Sequence, residues 1–331
     1  MQVDIKTTEM KPIRNTYGHI AERFGDKPAS RYQEATYDLQ ATDHFHYRPL
    51  WEPEKELIDE SRTKLKMKDW YAFKDPRQFY YGTYVAARAK MNEGAEANFN
   101  FVDSKGLAEK LTDSVISTVK ECILPLRHLG LSANMNNSEM TAKGFGTVTT
   151  QATMYYAMDH LGIAQYISRI GLVVDGNTGT SLTQAKALWM DAPYLQGLRR
   201  LAEDTLCCDD WFELFVAQNL VLDGMMYPLV YESIINSIEE QGGTAISMLT
   251  DFMTQWMKET KRWVDAEINV AAGESEYNKD LIQSWITKWS KRATEALAPL
   301  ADKALGASGA AAMKDAAQSL NSRVAKCGLS L

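Results

Sequence analysis

Residues 156–171 read YAMDHLGIAQYISRIG, Tyr156 to Gly171, a run of apolar side chains at helical spacing with Asp159 and His160 at its centre. Ionisable groups set into an apolar helix mark functional sites often enough to pose a question. The pair either does chemistry or is what remains of a site. The helix around it is predicted to run from about Thr147 to Val174, where the turn-rich stretch DGNTGTS follows.

Outward from this helix the pattern stays helical. Asp75-Pro76 reads as a helix start, with Asp as N-cap and Pro at the first position. Between about Asp103 and Leu129, the residues Val115, Ile116, Val119, Cys122, Ile123, Leu126 and Leu129 keep a helical period. Shorter helices are predicted at about 181–190 and 193–205. The stretch DDWFELFVAQNLVLDGMMYPLVYESIINSIEE opens with acidic capping residues and is apolar on nearly every face, which predicts a central helix surrounded by others. Gly242-Gly243 ends it, TAISMLTDFMTQWMKETKRWVDAEI begins the next long helix, and amphipathic helices follow at about 277–303 and 309–326. No alternating strand pattern competes, so the fold class is all-α. Each of the two central helices carries one acid in an apolar run, Asp159 in YYAMDHL and Asp251 in SMLTDFM, which points to two related helix pairs.

Residues 1–70 form a different unit, an extended aromatic-rich arm ahead of a helical domain at 71–331. The stretch GDKPASRYQEATYDLQATDHFHYRPLWEPEKE mixes aromatics, prolines and charges without a 3.6-residue period, and is too aromatic for a plain disordered tail. Such an arm gains stability by laying rings on another surface, either its own bundle or a partner subunit. Tyr32, Tyr37, Phe45, Tyr47 and Trp51 are the expected anchors at a partner interface.

Composition narrows the function. With 36 Lys and Arg against 43 Asp and Glu the net charge is −7, and no long basic run offers phosphate contacts, so nucleic-acid binding is not expected. The start has no signal-peptide core and no window is apolar for the length of a bilayer, so the expectation is a cytoplasmic protein away from the membrane. Cys122, Cys207, Cys208 and Cys327 form no CxxC pair and read as reduced thiols.

A helical bundle with inward acids raises the question of a carboxylate-bridged di-iron site, which needs two Glu-x-x-His pairs on separate helices. None is present: three residues before His19, His128 and His160 stand Thr16, Pro125 and Ala157. His44 follows Ala41, and His46 alone follows an acid, Asp43, within the arm. His44-Phe45-His46 lacks further ligands nearby, and reads as an arm contact rather than a zinc site. No GxSxG, GxxxxGK or GxGxxG motif occurs. The residues therefore favour a helical protein that binds other proteins and has no active site of its own.

The stretches RYQEATYDLQATDHFHYRPLWEPEKEL, FKDPRQFYYGTYVAARAK, YYAMDHLGIAQYISR and NLVLDGMMYPLVYESI carry a resemblance over nearly the whole chain. It resembles the β subunit of the hydroxylase in bacterial multicomponent di-iron monooxygenases, most closely the phenol hydroxylase branch. The resemblance implies a ferritin-like helical bundle in which the iron-binding Asp-Glu-x-x-His pattern of the catalytic subunit has lost its ligands. Asp159 then keeps the leading Asp, with His160 in place of Glu and Ile163 in place of His. Asp251 does the same on the second helix, with Phe252 and Gln255 at the ligand positions. Leu131 or a neighbour, and Leu222 or Asp223, stand for the two remaining glutamates. The resemblance further implies no cofactor on this chain and a di-iron centre in a partner α subunit. The partners would be α and γ subunits in an αβγ dimer, with a regulatory protein and an iron–sulfur flavin reductase. That complex would hydroxylate phenol to catechol with O2 and NADH-derived electrons. Two other readings compete: an active ferritin-like oxygenase using Asp159, His160, Asp223 and Asp251, and a helical scaffold unrelated to oxygenases.

Overall fold

The computed structural model describes residues 17–25, 28–41 and 48–331, and every regular element among them is helical. Two short helices, α1 Gly18–Phe24 and α2 Arg31–Glu34, open the described chain. Ser30 and Gln33 cap α2 reciprocally, each side chain bonding the other's backbone. Single 3₁₀ turns follow at Glu60–Arg62 and Trp70–Ala72, each opened by an aspartate that accepts a backbone N–H two residues on.

Asp75-Pro76 does not start a helix. The Asp75 carboxylate instead closes on the Arg77 guanidinium at 2.9 and 3.0 Å and on its backbone N–H, and Gln78 takes a left-handed φ of 52°. The helix α3, Tyr81–Ser104, begins five residues later. Nor is 103–129 one helix. Gly106 turns the chain at φ 56°, and Thr112 then caps α4, Asp113–Thr118, through the Val115 N–H. This helix passes through a π-helical turn at Val119–Ile123 into α5, Leu126–Lys143.

The remaining helices are α6 Thr147–Val174, α7 Thr180–Asp191 and α8 Pro193–Thr205. The apolar stretch after them is one helical path: α9 Trp211–Phe215, π-helical Val216–Leu222, α10 Asp223–Tyr227, π-helical Pro228–Ile234 and α11 Ile235–Glu240. Pro228 has no N–H to give the α ladder, and the second π turn starts at it. Then come α12 Thr244–Gly273, α13 Glu276–Leu305 and α14 Gly309–Lys326.

Two hairpins make the bundle. In the first, α5 runs antiparallel to α6: Gly130 lies at His160 and Ala164, Asn134 bonds the Ala157 carbonyl, and Thr141 meets Thr153. A Cβ on Gly130 would sit 3.3 Å from that of Ala164, so the missing side chain is what allows the close approach. The 211–240 path and α12 form the second hairpin, and α13 and α14 pack on its outside. Trp211, Phe212, Phe215, Trp256, Trp263 and Tyr156 are fully buried where the hairpins meet. Burying such rings is the largest apolar gain available to a core of this kind.

The arm lies on this bundle. Tyr32 and Tyr37 are buried against the chain's own core, with Tyr37 meeting Phe24 edge-on at 4.9 Å. Thr147 bonds the Thr36 carbonyl, and Arg23 bridges Asp38 and Asp69. As partner anchors these two tyrosines are therefore corrected: their rings are already spent within the chain. Trp51 is 73% exposed, whereas Phe45 and Tyr47, like His44 and His46, lie outside the described residues. No helix of the described residues is long and apolar enough to cross a membrane.

Candidate functional site

His160 and Asp159 point to different sides of α6, about 100° apart as successive helical residues are. Asp159 faces α3 and α12, where its carboxylate meets the Arg88 guanidinium at 2.7 and 2.8 Å through both oxygens. Tyr84 Oη donates to it at 2.9 Å and Trp256 Nε1 at 2.8 Å. Arg88 reaches on to Glu259 at 3.0 Å. Four donated bonds leave this buried carboxylate fully satisfied, so it joins three helices as a structural anion. It also closes the floor of a surface groove of about 370 Å³ between α3, α6 and α12.

His160 faces inward, onto Asp223. Its Nε2 lies 3.1 Å from Asp223 Oδ2, where Tyr156 Oη also donates at 2.7 Å, and Gln218 Nε2 donates to Oδ1 at 2.9 Å. His160 and Asp223 are 2% and 1% exposed. Burial, followed by the charge of Asp223 and the bond to it, pushes the Tyr156 hydroxyl well above its ordinary range, so it stays protonated and donates. The network runs further. Asn136 donates to Gln218 at 2.8 Å and to Thr205 at 2.9 Å, and Asn137 and Asn219 exchange amide bonds at 2.9 and 3.0 Å. Aromatic rings shut the rest: Tyr156 stacks on Trp256 at 5.1 Å and both flank the imidazole edge-on.

The sequence-derived ligand positions divide in this structure. His160, Ile163 and Asp223 line one cavity of about 10 Å³ together with Gly130 and Tyr227, a space at the lower limit for one water. Leu222 is buried beside Asp223, which itself supplies the carboxylate. Leu131 is corrected: it is 45% exposed on the outer face of α5, and its neighbour Gly130 turns inward. Gln255 is corrected too, since it is exposed and donates to the equally exposed Asp251 at 2.6 Å. Phe252 packs on Tyr166 at 4.7 Å in the outer groove, not on His160. The inward face of α12 is instead Leu249, Met253, Trp256, Thr260 and Trp263.

A di-iron group does not fit these residues. The one inward carboxylate of the cluster already accepts three hydrogen bonds, and the cavity beside it has no room for two ions. Among the described residues no three His, Cys, Asp or Glu side chains converge in a metal-binding arrangement. Sequence reasoning missed Tyr84, Arg88, Gln218 and Asn136, which carry no motif. Trp256, on the Leu249–Met253–Trp256 stripe, is inward by its spacing, but nothing in that spacing shows its bond to Asp159.

Two helical hairpins around a central acid-bearing helix pair define the class: an all-α, ferritin-like bundle. Within it, the chain belongs to the methane/phenol/alkene hydroxylase family, whose model matches residues 51–275. It is 48% identical over 329 residues to phenol 2-monooxygenase, oxygenase component DmpL, of Pseudomonas sp. (strain CF600), covering 99% of this chain and 98% of that one. It is 26% identical over 306 residues to the toluene-4-monooxygenase system hydroxylase component subunit beta of Ectopseudomonas mendocina, covering 89% of each. A chain in the crystal structure of xenon-pressurized phenol hydroxylase from Pseudomonas sp. OX1 superposes with a TM-score of 0.93 at 49% identity, over 99% of both chains.

Proposed function

We propose that this chain is the non-catalytic β subunit of a phenol hydroxylase oxygenase component. In this reading a partner α subunit holds the di-iron centre and converts phenol to catechol with O2 and NADH-derived electrons. The observation that carries it is the Asp223–His160–Tyr156 cluster. Where an iron-binding bundle keeps carboxylates and space, this chain has one satisfied carboxylate and interlocked aromatic rings. Similarity to a subunit described as beta supports the assignment. The complex would be an αβγ dimer in the cytoplasm, served by a regulatory protein and an iron–sulfur flavin reductase.

The test is metal analysis of the chain alone and of the complex it purifies with, joined to one variant. The isolated chain is expected to hold no stoichiometric iron while the complex does. His160→Ala in the assembled complex should keep the parent turnover of phenol per iron. Two irons per isolated chain, or turnover abolished in a complex that still assembles and holds its iron, would overturn the proposal.

A further inference from the structure

Behind the cluster, between the α10–α11 stretch, α12 and α14, lies a separate hollow of about 310 Å³. Lys258 and Lys261 reach it from α12, and Arg323 and Lys326 from α14. None of the three lysines forms an ion pair among the described residues. Two carboxylates face the four cations. Glu232 lines the hollow without an ion-pair partner, and Asp265 holds Arg323 through Nε at 2.9 Å and Nη2 at 2.7 Å. The local balance is thus positive in a chain whose net charge is −7.

One further feature makes this more than a basic surface. Arg323 is 8% exposed and lies against the backbone at Gly224, where a Cβ would come within 2.8 Å of its Nη1. The guanidinium is therefore seated by packing and held by Asp265, with Nη1 left out of that ion pair. The rings of Tyr227 and Tyr231 form the inner wall. Thr254 and Ser319 add hydroxyls at the rim.

We propose that this hollow is a binding site for a phosphate group, free or carried on a small organic molecule. A fixed guanidinium, three mobile ammonium groups and hydroxyl donors suit an oxyanion with several charged oxygens, and suit a monovalent halide poorly. The volume accommodates a phosphate with an organic body beside it. None of the four cations lines the His160 cavity, so the site does not rest on the subunit role assigned above.

Isothermal titration calorimetry at fixed ionic strength tests this on the full chain and on the complex it purifies with. The probes are inorganic phosphate, pyrophosphate and ribose 5-phosphate, against chloride. Saturable binding of at least one phosphate probe is expected in both preparations, with chloride failing to compete. Equal affinities for the phosphate and the sugar phosphate assign the site to the free anion; tighter sugar phosphate binding assigns it to an organic phosphate. Lys258→Glu with Lys261→Glu should weaken binding about ten-fold or more, as two reversed charges near contact require. Lys90→Glu, on the exposed side of α3, should leave it unchanged. Arg323→Lys, which keeps the charge but not the planar fork of donors, should weaken phosphate binding while keeping the helical signal. The proposal is overturned if no probe binds saturably. It is equally overturned if the lysine and Arg323 variants bind as Lys90→Glu does, or if binding by the chain vanishes in the complex.

Discussion

Glu267 is fully buried on α12, where Trp263 Nε1 donates to it at 3.0 Å and Thr149 Oγ1 lies at 3.1 Å. Burial pushes its carboxyl up to about 8; the two hydrogen bonds and Arg77 oppose the rise and Asp75 adds to it. The folded chain therefore holds a proton that the unfolded chain has lost above about 4.5. The contribution of this group to stability is full below that value and is lost as pH rises through about 8. Glu267→Gln keeps an acceptor for Trp263 and removes the titration. Its Tm should match the parent's near pH 4.5 and exceed it at about pH 8, by the equivalent of at least about 1 kcal/mol. Calorimetric scans across that window check both the sign and the size. At Asp159 the ion pair itself matters: Asp159→Asn leaves Arg88 poorly paired and should cost about 3 kcal/mol in urea unfolding. At this scale the sequence marked Asp159 and His160 as unusual because charge in an apolar helix is visible locally. Their partners Arg88 and Asp223, 71 and 63 residues away, are joined to them only by packing.

Helices were legible where apolar residues keep one face, and misread where a turn or a face had to be chosen. The α6 boundaries at 147 and 174 follow from the pattern alone. Asp75-Pro76 carries the local signature of a helix start, but a neighbouring Arg77 captures the capping carboxylate. On α12, matching Asp251 to Asp159 placed Phe252 and Gln255 inward. The stripe Leu249, Met253, Trp256, Thr260 and Trp263, spaced by four and three, shows that the core lies on the other side. The π turns at Val119–Ile123, Val216–Leu222 and Pro228–Ile234 rotate later side chains relative to an ideal helix, and apolar surroundings on all sides conceal that rotation in the sequence. Helix approach yields a prediction. Gly130 lets α5 close on α6 beside His160, where an added Cβ would lie 3.3 Å from the Ala164 methyl. Gly130→Ala should be nearly neutral, helix propensity offsetting a tight contact. Gly130→Val should cost about 1–3 kcal/mol through overpacking. Denaturant titrations of the two variants separate that steric cost from propensity.

For the whole molecule, the arm has two parts with different duties. Tyr32 and Tyr37 secure it to the bundle, while Trp51 stands exposed on a turn tied back by the ion pairs of Glu52 with Lys55 and Arg62. The first hairpin also shows an outward apolar stripe. Leu131 and Met135 on α5 and Met154, Met158 and Leu161 on α6 are each between 41% and 45% exposed. Large apolar side chains left exposed along one hairpin are characteristic of protein interfaces. Under the β-subunit assignment, both features serve a partner α subunit, and the two functions can be separated by variant. Tyr37→Ala should lower Tm, since it removes a ring from the chain's own core, by roughly the 3–5 kcal/mol typical of a buried aromatic. Trp51→Ala, and Met158→Asp with Leu161→Asp, should leave Tm and helical signal near the parent's but release the chain from its partner. Size-exclusion chromatography of co-expressed subunits reads the difference. An arm and hairpin that serve only the chain's own fold would give the reverse: intact co-elution with a lowered Tm.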